Sequence, residues 1–266
     1  MLRKLAEICL VLLTIAGPAG AASAETAQDK GLRIAEAADE RFSGFGDSIA
    51  GMRMILRNAA GDEAMRALRI KTLEMPEEGE GDRSLVIFDQ PRDISGTALL
   101  SIAHVIEPDD QWLYLPDLRR SKRISGANRA GPFMGSEFAF EDMNAPEVAK
   151  YEYMWLRDEP CGDLTCHVVE RTPRYDASGY SRQIVWIDTA EFRPMKIHFF
   201  GRRGDRFKTL TYGDYRLHEG RFWRAHDLYM DNLRTGKSTR LLVSGFAFGT
   251  GLSEADFSRA SLKRVR

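Results

Sequence analysis

After Ser43-Gly-Phe-Gly46 the chain is cut into short segments by brief polar turns, and that spacing is the strongest constraint on its fold. Met52, Met54 and Leu56 alternate with Arg53 and Arg57, and Leu68, Ile70 and Thr72 alternate with Arg69 and Lys71. Successive strand side chains point to opposite faces, so this alternation predicts half-buried strands. Further strand candidates occupy 83–88, 97–105, 111–115, 119–124, 150–157, 166–172, 182–188, 193–200, 206–216, 221–231 and 238–247. Turns such as Arg202-Arg-Gly-Asp205, His218-Glu-Gly220 and Arg234-Thr-Gly-Lys237 join several of them. Parallel crossovers need a dozen or more residues, so these short links predict antiparallel meanders. Leu32, Ala35, Ala38 and Phe42 recur at helical spacing within 26–42. Ser253 with Asp256 resembles a capping arrangement ahead of a short C-terminal helix. The expected class is mainly β: one large, curved antiparallel sheet with a few helices. Its concave face must be covered, here by helices and a loop that leave a cavity.

Residues 1–24 read as a secretory signal peptide. Arg3 and Lys4 precede the apolar run Leu5–Ile15, Pro18 and Gly20 break it, and Ala22-Ser23-Ala24 offers small residues for cleavage. The run is shorter than the roughly 20 residues that span a bilayer. The expected mature chain, 25–266, is a single soluble domain in the periplasm. Losing the leader takes two from the 38 basic and one from the 39 acidic residues, for a formal charge of −2. Nucleic-acid partners call for a basic excess that this chain lacks.

Cys161 and Cys166 remain, in Pro-Cys-Gly-Asp-Leu-Thr-Cys. In an oxidising compartment two thiols flanking a tight turn predict a structural disulfide. A metal site is disfavoured because only His167 is near, and a redox role because the spacing is not CxxC. The five histidines show no HExxH or HxxxH spacing, so no metal is expected. No GxSxG elbow and no glycine-rich phosphate loop occurs, and neither an enzyme nor a cofactor is expected. Asp109-Asp110 and Glu141-Asp142 read as turn and loop charges.

The informative stretch is 110–142. Trp112 and Tyr114 lie on a short strand, and Arg119, Arg120, Lys122 and Arg123 follow it. Phe133-Met134, between Gly131-Pro132 and Gly135, has no clean period and reads as a loop, with Phe138 and Phe140 close behind. Apolar residues on a loop point to a binding surface, and methionine suits one that accepts varied apolar partners. The expected cavity and lid residues are Met52, Met54, Leu56, Trp112, Tyr114, Phe133, Met134, Phe138 and Phe140. The four basic residues are expected to meet a lipid headgroup or a protein partner.

Gln111-Trp-Leu-Tyr-Leu-Pro116, the basic run to Ile124 and Gly131-Pro-Phe-Met-Gly-Ser-Glu-Phe138 resemble the outer-membrane lipoprotein-sorting protein family, the LolA-like domain. Asp89-Gln-Pro91, Gly96-Thr-Ala-Leu-Leu100 and Phe192-Arg-Pro-Met-Lys196 fit as well. The resemblance covers roughly residues 30 to 250 and is nearest to the branch often found beside RND-type transporters. It implies a half-open antiparallel barrel, LolA/LolB-like, closed by helices around an acyl-chain cavity. A carrier or chaperone for an acylated lipid or lipoprotein moving between the membranes is the expected function, with the 125–142 loop as movable lid. The alternative is an accessory or sensor subunit that docks to an RND-type inner-membrane transporter; an envelope hydrolase ranks below both. Intact-mass analysis of the exported protein is expected to find Glu25 as the first residue, and a retained leader would contradict the cleavage reading.

Overall fold

A computed structural model describes residues 24–75 and 80–264. Apart from Ala24, the leader lies outside the described residues. The helix α1 (Ala27–Phe42) comes first. Its N-cap Thr26 accepts the Asp29 amide at 3.1 Å, and the acidic Asp29 suits the positive end of the helix dipole.

Thirteen strands form one sheet among the described residues. They are β1 (Asp47–Arg57), β2 (Glu63–Leu73), β3 (Glu80–Gln90), β4 (Ala98–His104), β5 (Asp110–Leu115), β6 (Arg120–Ile124), β7 (Tyr151–Cys161), β8 (Leu164–Pro173), β9 (Arg182–Asp188), β10 (Pro194–Phe200), β11 (Arg206–His218), β12 (Phe222–Asn232) and β13 (Lys237–Phe248). Every segment expected from alternation is present, with ends moved by a few residues. The order is β6-β5-β4-β3-β2-β1-β13-β12-β11-β10-β9-β8-β7. The chain starts in mid-sheet, walks to one edge at β6, crosses to the opposite edge at β7 and walks back. β1 and β13 then join the two halves, paired from Ser48↔Phe248 to Arg57↔Ser238 with one shift between Gly51 and Met52.

Register shifts at Gly51/Met52, Ala67/Leu68 and Trp155/Arg157 interrupt the ladders, and such bulges bend strands and increase their twist. The sheet curls around one inner cluster that includes Met54, Leu68, Val86, Leu99, Val185, Ile197, Leu210, Met230 and Leu241. Laid flat, its edges would stand roughly 58 Å apart at about 4.8 Å per strand. The connector between them, residues 125–150, runs as four 3-10 turns and crosses the inner face. This strap, which contains the expected 125–142 loop, and the one α-helix, α1, together cover that face.

The outer face carries two smaller apolar clusters. Leu85, Ile87, Ala98, Leu100 and Tyr114 pack beneath Phe257 and Leu262 of the C-terminal tail. The tail is two 3-10 turns, Glu254–Phe257 and Ser261–Arg264, where a helix was expected. Ser253 and Asp256 do form the capping box, but the Ser258 and Ser261 hydroxyls bond nearby backbone and compete with helix continuation. The second cluster centres on Cys166, Val168 and Trp186, beside the expected Cys161–Cys166 disulfide. That bond closes the β7–β8 hairpin with Cα atoms 5.8 Å apart. No described helix is long and apolar enough to cross a membrane.

α1 rests directly on β7. A Cβ at Gly31 would come within 2.7 Å of the Trp155 amide nitrogen and 2.9 Å of Met154 backbone atoms. Alanine is the better helix former by about 1 kcal/mol, so an unpacked helix would gain from it. Gly31→Ala is nevertheless expected to lower the midpoint of thermal unfolding, and an unchanged or higher midpoint would argue against this close docking.

Candidate functional site

The strap folds its apolar tip inward. Pro132 and Ala139 form a bridge, the Phe133 amide donates to the Phe138 carbonyl at 2.7 Å, and the Ser136 amide donates to the Phe133 carbonyl at 2.9 Å. Met134 and Gly135 turn the chain with φ of 50° and 76°, a left-handed region that non-glycine residues adopt infrequently. Phe133 is thereby driven into the inner cluster at 0% exposure. Its ring centroid lies 5.7 Å from that of Phe88 and 5.5 Å from that of Phe140. Phe138 and Phe140 are buried with it, and Met52, Met54, Leu56 and Met134 belong to the same cluster.

The cavity expected over these residues is therefore filled by the strap's own phenylalanines. Each fully buried ring of this size is worth roughly 1.5–3 kcal/mol over its exposed state, which explains why an aperiodic apolar loop inserts. Trp112 and Tyr114 need a second correction. They pair with Leu100 and Ala98 of β4 and join the outer cluster beneath the C-terminal tail. Leu113 and Gln111 are the residues of β5 that face inward. The basic run is also divided. Lys122 pairs with Leu113 and shares its inner side, whereas Arg123 pairs with Trp112 and forms an ion pair with Asp110. Arg119 sits in the turn at φ 48°, and the run does not form one face.

Polar contacts from both halves of the sheet hold the strap. The Arg66 guanidinium of β2 donates to the Met134 carbonyl. The Glu137 amide donates to Thr239 Oγ1 of β13 at 2.9 Å, and Asn232 of β12 donates to the Glu137 carboxylate at 2.5 Å. Gln111 Nε2 donates to the Phe140 carbonyl at 2.9 Å. Glu141 accepts from Ser178 Oγ and the Gly179 amide, each at 2.8 Å. Asp142 accepts from the Tyr180 hydroxyl and the Ala139 amide, each at 2.7 Å. Burial raises both carboxyls, and for Glu141 the neighbouring Asp142 adds to the rise. At the strap's return to β7, buried Lys150 pairs with Asp109, which also accepts from Asn144 at 2.9 Å.

Asp109, Glu141 and Asp142 are thus anchors of the strap, where the sequence read as turn and loop charges. Their burial had no sequence signal except proximity to Phe140. His218 and His226, scattered in sequence, meet across the β11–β12 hairpin with their Nε2 atoms 2.9 Å apart. Among the described residues no group of three or more His, Cys, Asp or Glu is arranged to hold a metal.

A family profile described as "Uncharacterized protein" matches residues 80–264. No curated protein matches the chain. Among solved structures, a domain from Vibrio parahaemolyticus named for outer membrane lipoprotein sorting has a TM-score of 0.86 at 50% identity, over 89% of this chain and 100% of that one. A DUF1329 family protein from Desulfovibrio piger gives 0.84 at 25% identity, over 89% and 99%. A LolA superfamily protein from Nitrosomonas europaea gives 0.69 at 22% identity, again over 89% and 99%, and shares the fold. The long curled antiparallel sheet with its one helix has the LolA-like fold. This chain belongs to the outer membrane lipoprotein-sorting protein family within it.

Near the strap's return, burial and then repulsion from Asp82 push the Glu147 carboxyl up to about 7, and burial pushes Asp82 up to about 6. A carboxyl raised on folding stabilises the fold below its unfolded value and loses that contribution as pH climbs through the folded value. Glu147→Gln is therefore expected to raise the thermal midpoint by a few degrees near pH 8 and leave it unchanged near pH 5. Parallel melting curves at the two pH values check the sign, and a variant less stable near pH 8 would contradict it.

Proposed function

We propose that this protein binds the acyl chain of a lipid or lipoprotein in the periplasm and carries it between the inner and outer membranes. The chain occupies the inner face of the sheet after the strap tip withdraws. The observation that carries this reading is the origin of the groups sealing that face. Phe133, Phe138 and Phe140 come from a connector (not from the sheet), and hydrogen bonds between strap and sheet hold it.

The magnitudes favour exchange. Three buried phenylalanines contribute roughly 5–9 kcal/mol. A chain of about 14 methylenes offers roughly 11 kcal/mol at 0.8 each, before ordering costs. The two are close enough for cargo to displace the tip and for the tip to help expel cargo. Met52, Met54, Leu56 and Met134 would adapt to chains of different shape. Arg119, Arg120 and Lys122 would favour approach to an anionic surface at about 1 kcal/mol each. This reading makes the protein a binding protein, not an enzyme. The name of the Vibrio relative, at 50% identity, supports the lipoprotein-sorting context.

The filled inner face favours a second reading, an accessory or sensor subunit that docks to an RND-type transporter and carries no lipid. A strap lock separates the two. Glu137→Cys with Thr239→Cys puts one thiol on the strap residue whose backbone amide donates to Thr239 Oγ1 at 2.9 Å and the other at position 239. Wild-type protein is expected to take up a fluorescent fatty acid saturably, the oxidised double variant to lose uptake, and reduction to restore it. Absence of saturable uptake by wild-type protein would favour the accessory reading.

A further inference from the structure

In an antiparallel meander alternate links fall at opposite ends of the sheet, and here the charges divide between those ends. One end holds the links β1–β2, β3–β4, β5–β6, β8–β9, β10–β11 and β12–β13. Counted with one residue on either side, they carry eleven basic and six acidic residues. The described residues of the links at the other end, including that from α1 into β1, are counted the same way. They hold two basic and ten acidic residues. The whole chain has a formal charge of only −1, so charge is separated along the molecule.

The basic end is continuous. A Cβ at Gly96 in the β3–β4 link would lie 3.7 Å from Pro116 of the β5–β6 link. One at Gly236 in the β12–β13 link would lie 3.6 Å from Ala59 of the β1–β2 link. Arg234 pairs with Asp205 of the β10–β11 link at 2.8 Å. Arg119, Arg120, Arg202, Arg203 and Lys237 are exposed and form no salt bridge among the described residues. Two leucines protrude between these charges. Leu118 is 62% exposed beside Arg119, and Leu233 is 49% exposed beside Arg234. The acidic end also has an exposed tip, Ile106, but Glu107 follows it.

The strap tip hangs at the basic end. Arg66, near the start of β2, holds Met134, and Asn232 at the end of β12 and Thr239 near the start of β13 hold Glu137.

We propose that this end docks on the surface of an anionic bilayer, with Leu118 and Leu233 entering the interface and the arginines meeting lipid phosphates. Separate apolar tips flanked by cations fit a membrane interface, which takes the tips into its acyl boundary and the cations at headgroup level. A protein partner would have to supply a matching hollow for each tip. The same surface repels the acidic end, which sets the orientation. Docking turns the strap tip toward the membrane, where an acyl chain leaving the bilayer would meet the inner face. That last step rests on the acyl-binding reading, and docking itself does not.

Co-sedimentation of the exported protein with vesicles tests the proposal, using phosphatidylcholine alone or mixed equally with phosphatidylglycerol. Binding to the mixed vesicles is expected, weakening as salt is added and about tenfold weaker on phosphatidylcholine alone. Arg119→Glu with Arg203→Glu is expected to weaken it about twentyfold, and Leu118→Asp with Leu233→Asp about tenfold. All four positions are exposed, and melting curves confirm that both variants fold. An environment-sensitive dye on Leu118→Cys should shift to the blue with mixed vesicles, while one on Glu107→Cys should not. No binding, equal binding to both vesicles, or a shift at 107 equal to that at 118 overturns the proposal. So does binding that falls on charge reversal yet ignores both leucine changes, the pattern of a contact with an acidic protein. Fatty-acid uptake is read on the same preparations. Vesicle binding without uptake supports the docking end and counts against the carrier reading alone.

Discussion

A sheet whose chain leaves one edge at β6 and must resume at the opposite edge, β7, cannot avoid running a connector past its own interior. The rest of this structure depends on how that connector is packed. Curling brings the edges within reach, and the apolar residues lining the curl need a partner that excludes water. Phe133, Phe138 and Phe140 provide it from within residues 125–150. Because the strap touches β2, β5, β12 and β13, it also ties the two halves of the meander together, in addition to the β1–β13 seam.

The strap has two unlike ends. Its tip is apolar and is held by hydrogen bonds to side chains on β2, β12 and β13. Its return to β7 is a network of buried carboxylates, with Glu141, Asp142 and the Asp109–Lys150 pair all engaged. A single hydrogen bond contributes about 1 kcal/mol net, whereas breaking a buried ion pair costs several. Opening is therefore expected at the tip, with the return to β7 as the fixed end. A carboxylate that leaves its partners in such a place is an energetic liability, which keeps that end closed while the tip exchanges.

Most of the sheet could be read from alternation, because period-two patterning and short turns are local properties. β9 runs over Arg182–Asp188, the span the pattern implies. Sidedness was less accessible. Trp112 and Tyr114 share a face, but whether that face lies inside depends on pairing with Leu100 and Ala98 and on the tail that covers them. The aromatic pair drew attention as cavity lining, yet the inward residues of β5 are Gln111 and Leu113. The strap had no period to read, so its insertion follows only from the topology. Glu141 and Asp142 resembled solvated loop charges because the groups that bury them against the sheet, Ser178, Gly179 and Tyr180, lie far away in sequence, and only the Ala139 amide is near.

The central claim is that one apolar interior is occupied in turn by the strap tip and by an acyl chain. Hydrogen–deuterium exchange, resolved by residue and recorded with and without a long-chain lipid, tests it most directly. The amides of Phe133, Ser136 and Phe140 donate within the strap tip, to Phe138, Phe133 and Gly131 carbonyls. On lipid binding these amides should lose protection while those of β1 and β13 keep theirs. Bound lipid with a tip as protected as before would show that the cargo, if carried, lies elsewhere.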